Sequence, residues 1–164
     1  GKASIMYMVN RDAMGKFNPS ADASFQKETA LFAGRVYSTP AYFNGNLYYC
    51  AENDKIKAFP LINAKLQATP ASQTSNTFEY PGATPSISAN GTSGGIVWAV
   101  ENGFSATLHA YDASDLSKEL YNSNQAPFVQ DQVGPGNKFI TPTVANGRVY
   151  VGTTYGVAVY GLRK

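Results

Sequence analysis

The chain has 164 residues, a formal net charge of +2 at pH 7 and only 15% charged residues. This length is typical of one domain, and so small a charge excludes the strongly basic surfaces that bind nucleic acids or anionic membranes. A single cysteine excludes an intrachain disulfide and a Cys-rich metal site. No apolar run approaches the ~20 residues of a membrane span.

The first 33 residues predict two strands. The stretch "SIMYMVNRDAMGKF" has the pattern of a strand with its exit turn, and "SFQKETALF" predicts a second strand. The sequence does not begin with Met and enters a strand almost at once, so we expect it to be a piece of a longer chain.

Three copies of one pattern follow. Each copy opens with a Thr-Pro pair, at Thr39-Pro40, Thr84-Pro85 and Thr141-Pro142, and continues as a short apolar run to an Asn-Gly pair, at Asn44-Gly45, Asn90-Gly91 and Asn146-Gly147. Asn-Gly between apolar runs predicts a hairpin because both residues accept a positive φ. Proline lacks an N–H, so each Thr-Pro pair should begin an edge strand. In the second copy, "NGTSGG" predicts a longer hairpin loop.

A denser apolar run follows each hairpin, then a third strand: "KIKAF" (55–59), "TLHAYD" (107–112) and "GVAVYG" (156–161). A fourth strand is predicted in "KLQATPAS" (65–72) and "KELYNSN" (118–124). The Thr-Pro pairs lie 45 and 57 residues apart, and four short strands in a period near 40–50 residues are typical of a β-propeller.

The sequence therefore predicts an all-β fold, a β-propeller segment of about three four-stranded antiparallel blades in an incomplete ring. We expect one domain over 1–164. It comprises a partial blade (1–33), two full blades (37–75 and 82–124) and a final partial blade (138–162) without its outer strand.

One stretch resembles a known repeat. "AYDASDLSKELY" (110–121) is similar to the repeat of the pyrroloquinoline-quinone-type propeller family, with Ala110, Asp112, Lys118 and Tyr121 at the matching places. Ser117 and Tyr121 replace the usual glycine and tryptophan, and "MVNRDAMGKF" and "AFPLINAKL" are looser copies. The resemblance implies structural roles for these residues. We also expect a secreted or periplasmic location. Family enzymes hold the quinone and Ca²⁺ on the propeller axis. We expect no quinone site within this chain alone, because it has no Cys pair, no Cys-x-x-Cys-His motif and only about half of a ring.

Loops that converge on one rim predict the functional surface. Two long loops, 71–83 and 124–139, mix aromatic and amide side chains and lead into Thr-Pro strands. The predicted ligand-binding residues of the rim are Asn53, Asn76, Phe78, Tyr80, Asn102, Phe128, Gln132 and Asn137. Such a surface suits a carbohydrate or another neutral polar ligand, and it also suits a protein partner.

The same rim carries carboxylates, and Ca²⁺ takes six to eight oxygen ligands from several loops. We therefore interpret Glu52, Glu101 and Asp131 as a possible partial Ca²⁺ shell. The alternative is that the Glu-Asn pairs at 52–53 and 101–102 simply form solvated turns.

The remaining reactive side chains favour structural roles. His109, the one histidine, lies mid-strand and is interpreted as a blade-face residue; Cys50 and Trp98 lie in apolar runs and are interpreted as core. The leading hypothesis is a ligand- or partner-binding protein without assigned chemistry. A Ca²⁺-dependent lactonase-like hydrolase is the alternative, and a remnant of a quinoprotein dehydrogenase is a third. Because an incomplete ring leaves blade faces uncovered, we also expect a homodimer or higher ring.

Overall fold

The computed structural model describes residues 1–162. In this range the chain forms fourteen β-strands, one short 3₁₀ turn at Pro127–Val129 and no α-helix. Within residues 1–162, no helical segment has the length and hydrophobicity of a membrane-spanning helix. The strands are β1 (Met6–Met8), β2 (Gln26–Glu28), β3 (Ala41–Phe43), β4 (Asn46–Cys50), β5 (Ile56–Ile62), β6 (Lys65–Leu66), β7 (Ser72–Gln73), β8 (Ser86–Asn90), β9 (Ser93–Glu101), β10 (Thr107–Asp112), β11 (Glu119–Asn122), β12 (Thr143–Ala145), β13 (Arg148–Gly152) and β14 (Val157–Gly161).

The strands form four antiparallel sheets, so the all-β prediction is confirmed. Sheet I is β1–β2, and sheet II has the order β3-β4-β5-β6 with β7 also paired to β5. Sheet III has the order β8-β9-β10-β11, and sheet IV the order β12-β13-β14. Successive strands pair with one another because short connections join them.

Thr-Pro precedes an edge strand in all three copies, as predicted, and Asn-Gly forms the predicted two-residue hairpin turn in the first and third copies. β3, β8 and β12 each begin one residue after the proline and lie at an edge of their sheet. The turns at 44–45 and 146–147 connect paired residues, with Asn and Gly both at positive φ. These conformations match the two-residue hairpin turn that twists with its strands.

The second hairpin differs from the prediction. Asn90 pairs with Ser93, so the turn is Gly91-Thr92 and not a longer "NGTSGG" loop. Gly94, at positive φ, lies inside β9, and the pairing register shifts between Ser88 and Asn90. A bulge thus absorbs the extra residues and keeps the hairpin short. The outer strand predicted at 65–72 is likewise split into β6 and β7, which pair with different parts of β5.

Three hydrophobic cores lie between successive sheets. Met6, Leu31, Phe59 and Leu66 belong to the core between sheets I and II. The core between sheets II and III includes Tyr48, Cys50, Ile56, Phe78, Val97, Tyr111 and Leu116. The core between sheets III and IV includes Val100, Leu108, Val133, Val149 and Val151. Strand residues alternate between cores, because successive side chains point to opposite faces of a sheet.

The loops of neighbouring sheets meet at one end of the strands, which we call the loop edge. It is formed by the short loops 51–55, 102–106 and 153–156 and by the long connections 29–40, 74–85 and 123–142. Hydrogen bonds join these loops: Asn102 Nδ2 donates to the Tyr80 carbonyl oxygen (3.3 Å), Gly136 N to the Gly103 carbonyl oxygen (3.0 Å) and Thr154 Oγ1 to the Gly136 carbonyl oxygen (3.3 Å).

Candidate functional site

A cluster of aromatic rings lies at the loop edge where the chain enters three first strands. The rings of Tyr37 and Tyr80 meet edge to face, with centroids 5.4 Å apart, and the Phe139 ring lies 6.3 Å from that of Tyr37. The Lys138 ammonium is 5.2 Å from the Tyr80 ring centroid. Tyr80 and Phe139 are 40% and 59% exposed, so this aromatic patch presents apolar and cationic groups to solvent.

The repeat explains why the rings converge. Tyr37 and Phe139 each stand two residues before the threonine of a Thr-Pro pair, which precedes β3 and β12. β8 packs against both β3 and β12, so the three entry segments lie side by side. In the second copy the equivalent residue is Gly82, and Tyr80 supplies the ring from two residues earlier.

Gly82 has no room for a side chain. A Cβ at this position would lie 2.8 Å from the carbonyl carbon and oxygen of Ala51, and φ is +82°. The Ala51 backbone therefore excludes an aromatic residue at position 82. This explains why the ring of the second copy comes from Tyr80, two residues earlier.

Amide side chains border the aromatic patch. Asn102 and Asn137 line, together with Tyr37 and Phe139, a crevice of about 10 Å³, which is room for a single water. Asn102 donates to the Tyr80 backbone and Asn137 accepts from the Lys138 N–H (2.9 Å). The site is therefore an open surface for stacking and hydrogen bonding and not a deep pocket.

Of the eight predicted rim residues, three belong to this patch or border it: Tyr80, Asn102 and Asn137. Phe78 is fully buried in the core between sheets II and III. It does not line the rim, because Asp54 and Phe78 form a β-bridge that fixes its backbone there. Asn53 is held in the same bridge by its N–H, which donates to the Phe78 carbonyl oxygen (2.8 Å).

The other three predicted ligand-binding residues lie elsewhere. Asn76 is half-buried, and its Oδ1 accepts a hydrogen bond from the Tyr111 hydroxyl (2.7 Å). Phe128 is 87% exposed at a left-handed residue of the 3₁₀ turn. Gln132 lines a separate cleft between sheets III and IV.

The three predicted metal ligands each have a different neighbour. Glu52 faces Arg35, with Oε1 3.8 Å from Nε. Glu101 faces His109, and Asp131 Oδ2 accepts from the Tyr121 hydroxyl (2.8 Å). Within residues 1–162, no group of three or more His, Cys, Asp or Glu side chains could hold a metal ion. Glu52, Glu101 and Asp131 therefore each contact a different partner, and a shared Ca²⁺ shell stays a prediction.

His109 lies between two carboxylates. Its Nδ1 is 2.6 Å from Glu119 Oε1, and its Nε2 is 3.1 Å from Glu101 Oε2. The ring stacks on Tyr111 at 5.7 Å and meets Phe78 edge to face. His109 is 6% exposed, whereas the two glutamate side chains are 37% (Glu101) and 30% (Glu119) exposed. We call these three side chains the His109 cluster.

The carboxylates decide the charge of this imidazole. Burial lowers the pKa of His109, but hydrogen bonds and charge from Glu101 and Glu119 outweigh burial, so its pKa is raised above the usual value. The hydrogen bond with His109 lowers the pKa of Glu101. Both ring nitrogens face carboxylate oxygens, an arrangement that favours the imidazolium form and joins β9, β10 and β11.

A partly buried cation occupies the matching position of sheet II. By the strand pairing, Lys57 on β5 corresponds to His109 on β10. The Lys57 Nζ lies 2.7 Å from Asp54 Oδ2. Lys57 also donates to the Leu31 carbonyl oxygen (3.0 Å). The Lys57 ion pair ties β5 to the loop before it, and the His109 ion pairs tie β10 to β9 and β11. They are structural links, in agreement with the interpretation of His109 as a sheet-face residue.

Cys50 is fully buried in the core, and burial raises the pKa of its thiol to about 12. An inert thiol fits its interpretation as a core residue. Trp98 is only half-buried: it packs against the core between sheets III and IV and also lines the cleft beside that core.

Sequence reasoning missed Tyr37, Lys138 and Phe139. Aligning the residues that precede the Thr-Pro pairs would have found the two rings, because both stand at the same distance from a threonine. Nothing comparable marks Lys138, which reaches the patch only because it neighbours Phe139 in the long connection.

No protein-family model and no curated protein matches this chain. Among solved structures, the crystal structure of the computationally designed Ika8 protein is similar to it, with a TM-score of 0.54 and 11% sequence identity. The match covers 85% of this chain and 36% of the Ika8 chain, so this chain spans about a third of the protein that it matches. At this identity the similarity concerns the fold alone.

Proposed function

We propose that this chain is a segment of a β-propeller that binds a neutral saccharide on the aromatic patch of Tyr37, Tyr80 and Phe139. Three observations support the propeller. Each complete sheet runs from first to last strand in chain order, the first strands β3, β8 and β12 neighbour one another, and each core lies between successive sheets. These are the relations of blades around an axis, with the first strand innermost.

The exposed rings carry the proposal for the ligand. Sugar rings present C–H faces that stack on aromatic side chains, and hydroxyl groups that pair with amides and ammonium groups. Tyr80 and Phe139 supply exposed rings, and Asn137 and Lys138 supply polar groups beside them. The patch also lies near the proposed axis, where the loops of several blades converge and function concentrates.

The other predictions about function stay predictions. These are membership of the quinone-type repeat family, a secreted or periplasmic location and a homodimer or higher ring. No contact among residues 1–162 specifically favours the Ca²⁺-dependent hydrolase or the dehydrogenase remnant.

Saccharide binding can be tested by two-dimensional NMR of ¹⁵N-labelled protein titrated with short cello-, malto- and chito-oligosaccharides. We expect at least one series to shift the amide signals of residues 37, 80 and 137–139 in a saturable way. Tyr80→Ala and Phe139→Ala should abolish these shifts. Tyr42→Ala is the matched control, because Tyr42 is equally aromatic and 62% exposed but lies on β3 beside the hairpin turn.

Two results would contradict the proposal: no saturable shift with any of the three series, or shifts that persist in both patch variants. Loss of the shifts in Tyr42→Ala would indicate that the ligand binds near the β3–β4 hairpin and not at the loop edge.

A further inference from the structure

A cleft of about 800 Å³ separates sheets III and IV beside their core. Trp98 and Tyr121 line it from sheet III, and Ala158 and Tyr160 line it from sheet IV. The cleft is continuous with the core that contains Val149, which lines both. β14 forms one border, and among the described strands it pairs only with β13.

Sheets II and III have no such cleft at the corresponding part of their interface, because the turn between β10 and β11 fills it. Leu116 in this turn is fully buried in the core, together with Ala113. The Leu116 N–H donates to Ser72 Oγ on β7 (3.1 Å), and the Tyr48 hydroxyl donates to the Ala113 carbonyl oxygen (2.7 Å). After this turn, β11 pairs with β10.

The place between sheets I and II is filled in the same way. Leu66, after the β5–β6 turn, is 3% exposed and belongs to the core between those sheets. Its N–H donates to Gln26 Oε1 on β2 (2.9 Å), and its carbonyl oxygen accepts from Gln26 Nε2 (2.8 Å). In both interfaces, a leucine beyond the third strand is therefore bound by the outer strand of the preceding sheet.

Pairing registers give the corresponding residues of sheet IV. Val97 pairs with Ile87 and Tyr111, and Val149 pairs with Val144 and Tyr160, so β14 corresponds to β10. The tyrosines also behave alike: the Tyr160 hydroxyl donates to the Asp131 carbonyl oxygen (3.0 Å), as the Tyr111 hydroxyl donates to Asn76. By this register Gly161 corresponds to Asp112.

We propose that the cleft and the free edge of β14 together accept one extended polypeptide strand. Its turn inserts a leucine-like side chain between sheets III and IV, and the strand after the turn pairs antiparallel with β14. Residues 113–122 show the required chemistry within this molecule: a short turn, an aliphatic side chain and then a strand. β14 is the last strand of sheet IV among the described strands, so its outer backbone edge can pair with a further strand.

The structure suggests a direct test, because Trp98 is the single tryptophan and lines the cleft. The sequence of residues 116–124 (LSKELYNSN) is added directly after Lys164, which by the register brings its leucine to the position of Leu116. Relative to the unextended chain, acrylamide should quench Trp98 fluorescence much less. The β14 amide hydrogens should exchange with solvent at least about tenfold more slowly. The matched control is the same extension with aspartate in place of its leucine.

A second experiment supplies the strand separately, as a synthetic peptide of residues 113–124 titrated into the unextended chain. It should shield Trp98 in a saturable way, whereas a Leu116→Asp peptide should not. Shielding of Trp98 that rises with the concentration of the unextended chain alone would also support the acceptor and identify a second copy as donor. Unchanged quenching and exchange in the extended chain would overturn the proposal, and so would an aspartate extension that acts like the leucine one.

Discussion

Removing the imidazolium of the His109 cluster should destabilise the protein in a way that depends on pH. In His109→Gln, the uncharged amide loses both charge-assisted hydrogen bonds and leaves Glu101 and Glu119 facing each other. Breaking a buried ion pair costs about 3–5 kcal/mol, and a hydrogen bond to a charged group contributes about 1.5–3 kcal/mol. Both glutamates are about one third exposed, so water offsets part of the loss. We therefore expect a decrease of about 2–3 kcal/mol in the free energy of unfolding near pH 6.

The pH dependence follows from the directions of the two pKa shifts. The folded-state pKa of His109 is raised, so its stabilisation is complete below the unfolded value of about 6.5 and is lost as the pH rises through the folded value. The folded-state pKa of Glu101 is lowered, so its stabilisation is complete above about 4.5 and is lost as the pH falls. The contribution of the cluster is therefore greatest between about pH 4.5 and 6.5.

Urea unfolding followed by Trp98 fluorescence at pH 6 and pH 9 measures this effect. A decrease of 2–3 kcal/mol lowers the urea midpoint by about 1 M, and the difference between wild type and His109→Gln should shrink at pH 9. Glu119→Gln should lose about 1–2 kcal/mol, whereas Glu79→Gln, an exposed loop glutamate outside the cluster, should lose almost none. A difference between wild type and His109→Gln that is the same at both pH values would refute the reasoning.

Three further predictions concern buried positions. Leu116→Ala should lower the free energy of unfolding by about 2–5 kcal/mol in chemical denaturation, because the side chain is fully buried between two sheets. Gly82→Ala should lower the melting temperature strongly, since its Cβ would lie 2.8 Å from the Ala51 carbonyl group at φ +82°; an unchanged melting temperature would contradict the close approach. The Cys50 thiol should not react with a disulfide reagent at pH 8 until the protein is unfolded, because it is fully buried with its pKa raised to about 12.

Local sequence pattern was enough to predict most strands. The predicted strand "TLHAYD" is β10 without change, and "GVAVYG" differs from β14 by one residue. Thr-Pro and Asn-Gly restrict φ within a few residues, so they fix where a strand begins and turns. The predicted loop of the second hairpin was too long, because a single sequence does not reveal that a bulge near Gly94 lies inside β9.

The site was less predictable because it depends on contacts between sheets. Phe78 lies in a loop whose composition predicts exposure. A β-bridge between Asp54 and Phe78 instead places the Phe78 side chain in the core between sheets II and III. Glu101 was interpreted as a metal ligand because its loop position matches that of Glu52, whereas its neighbour is a histidine on the adjacent strand. Position along the chain predicts which edge a residue occupies, but not which side chain from another strand meets it.

The separation of the interior into three cores, each shared by two successive sheets, has a consequence for how such a chain can evolve. We expect its stability to be close to a sum of contributions from neighbouring pairs of sheets, as it is in solenoid repeat proteins. A change in one sheet therefore acts mainly on the cores that this sheet shares with its neighbours. The matching positions of β5, β10 and β14 illustrate the freedom this allows, since Lys57, His109 and Ala158 occupy one place in the repeat with three different chemistries.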